Sequence, residues 1–303
     1  MQSFLSLIVE PGFFTSVPVH TAMVVGGGAA LVSGVVGVFT VIRGQSFAGH
    51  ALADVSSAGG SASFLLGINP LLGFLGMAVI AAGGMELAGA RFVRERDLVT
   101  GVVLGAGLGL AALFLYFDVT FHSTTGAAIT VMFGSMFSIP ASIIPLTLAV
   151  GAAALAISAL LYRPLLLASM SAELAAVQGV RVRMTGLLHL LVLAFAVALS
   201  AMTIGAILST ALLIGPAAIA LRLVKRPGLA IAASVLVGFV ATWGGILLAY
   251  DSFYWTPGHG WPVSFFIVSL IFVAYLATTV PLRRDVRESR AAIGSNAEAK
   301  AGS

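Results

Sequence analysis

The chain has 303 residues, of which 59% are hydrophobic and only 9% charged, with a mean hydropathy of +1.10. Soluble domains carry about 25% charged residues, so a soluble globular protein is excluded and a multi-pass membrane protein remains. The net charge of +4 does not point to nucleic acid, because the basic residues sit in short clusters between apolar runs. The absence of cysteine excludes disulfides and thiolate metal sites.

Residues 1–16 contain Glu10-Pro11-Gly12 and no Lys or Arg. They predict a short interfacial helix and turn, with no basic segment of the kind that opens a cleavable signal peptide. Apolar runs of about 20 residues then predict nine spans: 17–42, 46–68, 71–90, 98–117, 141–162, 184–202, 206–221, 228–250 and 262–280. Span 1 is rich in glycine, and small residues let helices approach closely in lipid. Gly101, Gly105 and Gly109 predict a second packing face of that kind on span 4. Asn69-Pro70 and Thr203-Ile204-Gly205 read as tight links.

Residues 118–140 are half polar and predict an outer loop with a short, partly inserted helix near 127–137. Gly215-Pro216 predicts a kink in span 7, where proline removes a backbone donor. A polar connection is expected over 163–183, with an amphipathic helix near 171–178. Residues 251–261 read as an aromatic outer loop, and 283–303 as a basic, polar, disordered tail.

Every Lys and Arg up to the tail falls after spans 1, 3, 5, 7 and 9. The opposite loops carry Glu10, Asp118 and Asp251 and no basic residue. The positive-inside rule then places the N-terminus outside and the C-terminus in the cytoplasm. The expected fold is an all-α, polytopic transmembrane bundle of about nine spans: a single transmembrane domain over 1–282, then the tail.

The informative pair is His50 and Asp54 in span 2. Four residues apart on a helix, they share one face. Titratable groups inside a span are costly and mark an ion or proton path; neutral imidazole plus carboxylate also suits Zn²⁺ or Mn²⁺. The bland alternative is that the two side chains merely satisfy each other between helices. His122, His259, Asp118 and Asp251 fall on the outer face, where they either guide a cation inward or are ordinary solvated loop residues. Glu86 is expected to pair with Arg91 at the inner end of span 3, and His189 to be a packed histidine. Only Lys225 and Lys300 exist, and neither follows a Gly-rich loop, so there is no Walker A site. Neither a Gly-x-Ser-x-Gly elbow nor a His-Glu-x-x-His helix is present.

Four segments together resemble one family, the membrane subunits of ABC-type zinc/manganese importers. They are Val38-Phe-Thr-Val-Ile-Arg43-Gly-Gln-Ser-Phe-Ala-Gly-His50-Ala-Leu-Ala-Asp54, Leu174-Ala-Ala-Val-Gln-Gly179-Val, Ile204 to Gly215-Pro216-Ala-Ala, and the outer loop Tyr250 to Trp261. The family's second helix usually reads Gly-Asp-Ala-x-Ser-His; here His50 and Asp54 stand in reversed order.

The resemblance implies a non-enzymatic permease of the plasma or inner membrane that carries Zn²⁺ or Mn²⁺ and holds no permanent cofactor. His50 and Asp54 would be transient ligands along a dimer seam. Implied partners are a second copy, cytoplasmic ATP-binding subunits that hold the ATP, an extracytoplasmic metal-binding protein and membrane lipid. The 163–183 segment would be the coupling region, with Glu173, Gln178 and Gly179 meeting the ATPase. Outside the resemblance, a proton-coupled secondary carrier would use the same pair, and a permease for siderophores or cobalamin would share the architecture.

Overall fold

The structure, a computed structural model, describes residues 12–87, 93–122, 126–255 and 259–279. The tail expected at 283–303 lies outside these. The described residues form eleven α-helices and three short 3₁₀ turns, with no strand among them. In chain order the helices are α1 (Val17–Ile42), α2 (Ser46–Leu66), α3 (Pro70–Leu87), α4 (Val93–His122), α5 (Gly126–Phe133), α6 (Ile144–Met170), α7 (Ala172–Val177), α8 (Val182–Ile204), α9 (Ala206–Leu223), α10 (Pro227–Trp255) and α11 (Val263–Thr279).

Seven of them are long and apolar enough to cross a membrane. α2 is too polar to count with these, carrying His50, Asp54 and five serines; α11, at 17 residues, is shorter. In lipid a serine must find an acceptor, and four of those on α2 find their own helix: Ser56 and Ser57 bond carbonyls three residues back, Ser61 and Ser63 carbonyls four residues back.

The links follow from local chemistry. α2 stops at Gly67, whose φ of +64° suits glycine; Gly67 N–H reaches Phe64 O and Ile68 N–H reaches Ser63 O, the Schellman pattern. Asn69 Oδ1 then accepts from Leu71 N–H, and Pro70 opens α3 without wasting a donor. Between α8 and α9 the chain turns at Gly205, φ +87°, where any Cβ would strike the Met132 carbonyl of α5.

α1 and α8 form the trunk. They are the most enclosed of the spanning helices, and a buried bond of 2.8 Å joins Ser33 to Ser200 between them. α2, α3 and α4 pack together on one side, with α3 and α2 also reaching α8; α9, α10 and α11 cluster on another, against α1. Basic residues gather at one end. Phe39 of α1 meets the ring of Tyr162 beside Arg163, Arg43 reaches Gly186 near Arg183, and Val38 packs with Ala217 and Ala220 beside Arg222. Phe13 and Tyr250 meet ring to ring at the opposite, aromatic end.

Five expectations need correction. α6 continues past 162 to Met170 with Pro164 inside it, because Leu165 buries against Phe39 and Leu161 and Arg163 can extend its charged tip away from its stem. The polar connection is therefore 171–181. Residue 118 is not in a loop: α4 runs to His122, and Asp118 is fully buried. α10 likewise runs to Trp255 and buries Asp251. The inserted helix covers Gly126–Phe133, followed by 3₁₀ turns at Met136–Ser138 and Ala141–Ile143. Finally, Gly101, Gly105 and Gly109 face open space, and Gly107 is the glycine of α4 that packs, against Val55 of α2.

Candidate cation site

The site is built where the first turns of α2 cross α9. Gly49 makes the crossing close: a Cβ there would sit 3.0 Å from Leu213 Cδ2. One residue on, His50 lies between the two helices. Its Nε2 stands 3.5 Å from Asp54 Oδ2 on the same helix face, and its Nδ1 stands 3.1 Å from Thr210 Oγ1 of α9. The His50 side chain is 44% exposed and that of Asp54 is 12% exposed. The pair is therefore rooted in the bundle but open on one edge.

The 3.5 Å approach is long for a hydrogen bond and suits a shared ion. Two ligands each about 2.1 Å from one cation at a tetrahedral angle stand roughly 3.4 Å apart. Imidazole nitrogen and carboxylate oxygen are both competent donors for Mn²⁺ or Zn²⁺. Among the described residues no group of three or more His, Asp, Glu or Cys comes together. Two such donors could take two positions on an ion and would leave the rest to water or another chain, a geometry of loose, releasable binding rather than a closed structural site.

Asp118 and Asp251 are buried within helices rather than solvated. His259 is exposed, and the side chain of His122 lies outside the described residues. His20 Nε2 contacts Phe14 O at 2.6 Å. His189 is packed as expected, 1% exposed. Glu86 pairs across helices with Arg183, 3.5 Å away; Arg91, its expected partner, is outside the described residues.

α7 is the second element of interest. Ser171 Oγ accepts from Leu174 N–H to cap it, and Glu173 in the first turn complements the helix dipole. Gly179 ends the turn with φ +81°. Glu173, Gln178 and Gly179 are all exposed. So are two aliphatic side chains, Leu174 at 64% and Val177 at 86%, and Ala175 alone anchors the helix inward.

Thr210 was not legible as a site residue. It sits 160 positions from His50, and nothing local in Ser209-Thr210-Ala211 separates it from an ordinary helix hydroxyl.

Residues 18–279 match the model of the ABC 3 transport family. The chain is 25% identical over 273 residues to the manganese transport system membrane protein MntC of Listeria innocua, covering 90% of this chain and 93% of that protein. It is 30% identical to the manganese import system permease protein ScaB of Streptococcus parasanguinis, over 76% of this chain and 80% of that one. Identity to the high-affinity zinc uptake system membrane protein ZnuB of Haemophilus influenzae is 24%, over 76% and 88%. The fold is that of a chain of PsaBC from Streptococcus pneumoniae, solved in complex with Fab, with a TM-score of 0.76 at 24% identity, over 92% of this chain and 97% of that one.

Proposed function

This chain belongs to the ABC 3 transport family, and from that premise we propose that it is the permease subunit of an ATP-driven importer for Mn²⁺ or Zn²⁺. It works as a dimer with its N-terminus outside. As a transport subunit it does no chemistry of its own. Relatives named for manganese and for zinc support the cargo class, and the donor set of His50 and Asp54 fits either ion.

An extracytoplasmic binding protein delivers the ion. His50 Nε2 and Asp54 Oδ2 take two coordination positions during passage, and a second copy across the seam completes the path. Loose coordination matters, because an ion held by a closed set of protein ligands would not leave. ATP binding on a cytoplasmic partner shifts the α7 region, with Glu173, Gln178 and Gly179 at the contact. The exposed Leu174 and Val177 support a docking role, since aliphatic side chains gain by burial in a partner's groove. The resulting change of access is a rigid-body switch between packed states.

The observation that carries this reading is the His50–Asp54 approach of 3.5 Å on an edge open to cargo. The test is uptake of Mn²⁺ and Zn²⁺ into proteoliposomes that contain the permease, its ATPase and the binding protein. The double variant His50→Ala/Asp54→Ala should assemble normally and lose ATP-dependent accumulation. Native uptake in that variant overturns the site, and uptake driven by a proton gradient without the ATPase overturns the importer.

A further inference from the structure

We propose that Thr210 is a positioning residue for the cation site, holding the His50 ring through both of the imidazole states that ion capture requires. This rests on the reading that His50 and Asp54 touch the cargo. A neutral imidazole carries one N–H and one lone pair. In the tautomer that carries its proton on Nε2, the N–H faces Asp54 Oδ2, 3.5 Å away. Nδ1 is then the acceptor and takes a hydrogen bond from the Thr210 hydroxyl, 3.1 Å away.

A cation needs the Nε2 lone pair. The ring must lose its proton at Nε2 and gain one at Nδ1, with no net change in its charge. The half-exposed edge of His50 gives water access for that exchange. After it, Nδ1–H donates to Thr210 Oγ1. A hydroxyl rotates to serve as donor in one state and acceptor in the other; valine, nearly the same shape, can do neither.

The setting of Thr210 supports this role. Thr203 and Ser209, nearby on the same helical hairpin, bond carbonyls three or four residues back in their own helices. Thr210 instead bonds across to α2. The ring is thus held only while α9 stands where it does beside α2. A slide of about 1 Å would carry 3.1 Å beyond hydrogen-bond range, so the grip on the ion depends on the helix arrangement.

The experiment measures Mn²⁺ binding to the assembled transporter by the EPR signal of free Mn²⁺, for native protein, Thr210→Val, Thr210→Ser and His50→Ala/Asp54→Ala. Outer-shell partners of metal-bound histidines are worth about 10–100-fold in affinity, so Thr210→Val should weaken binding by that factor and raise the uptake KM with little change in kcat. Thr210→Ser, which keeps the hydroxyl, should come back to within about threefold of native. Nitrogen-15 histidine spectra of the metal-free protein should show an altered His50 tautomer ratio in Thr210→Val.

Native-like affinity in Thr210→Val, with loss in His50→Ala/Asp54→Ala, overturns the role of Thr210 and leaves the site standing. Equal weakening in Thr210→Ser and Thr210→Val assigns the effect to the methyl packing and also overturns it. Native affinity in the double alanine variant overturns the site itself.

Discussion

His50 and His189 stand on packed helices toward the basic end of the same bundle, yet the two imidazoles have opposite surroundings. His50 lies at the crossing of α2 and α9, open on one side and bonded to Thr210 and near Asp54. His189 is sealed in α8, with the Arg43 charge acting on it and no hydrogen-bond partner for Nε2 among the described residues. A dication approaching His189 would meet the field of a guanidinium. At His50 the neighbour is a carboxylate. What separates the two histidines is the charge beside each and a route to it, not the residue type.

The largest effect is expected on uptake. Losing both His50 and Asp54 should abolish it, as set out above. A sharper version exchanges the two, His50→Asp with Asp54→His, which returns them to the order usual in the family. One imidazole and one carboxylate remain a turn apart, so uptake should survive, with affinity reduced by about tenfold because the ring has moved away from Thr210. In that background Thr210→Val should cost little more; a second tenfold loss would show that Thr210 acts on something other than the ring.

His189→Leu tests the other side. Leucine fills most of the volume and removes a buried polar atom with no partner among the described residues, a group whose burial costs roughly 1–3 kcal/mol. The melting temperature of the purified protein should hold or rise, and uptake should stay near native. Loss of uptake in a well-assembled complex would place His189 on the path. The smallest effect is expected from Glu86→Gln. Its partner Arg183 has a side chain 80% exposed, and solvent-screened pairs contribute about 0–1 kcal/mol, so a shift in thermal stability beyond that range would give the pair a larger role than its exposure suggests.

Much of the bundle was legible because lipid forces it to be. A spanning helix must satisfy its backbone internally and show apolar side chains, so α1 was readable residue for residue from Val17 to Ile42. The ends were less so where one polar residue looked like a boundary. Arg163 and Asp251 both sit inside helices, because a long side chain can carry its charge to the interface and a carboxylate can be buried once it has partners. The spacing of His50 and Asp54 was readable because one helix sets it. Thr210 was not, because its place depends on how two helices distant in sequence cross. The glycine stripe on α4 misled for a related reason: spacing shows that a face is smooth, not what lies against it.

α6 has a mechanical consequence. Its 27 residues make a strut of about 40 Å, running from the 3₁₀ turn at Ala141–Ile143 to the small cap that carries Leu174 and Val177. A helix of that length transmits a push along its axis with little compression. Pro164 leaves one rung of its ladder unmade, six residues before the strut ends. Bending should concentrate there, so that a load applied at α7 tilts the last turns first and reaches the far end of α6 only after that hinge is taken up.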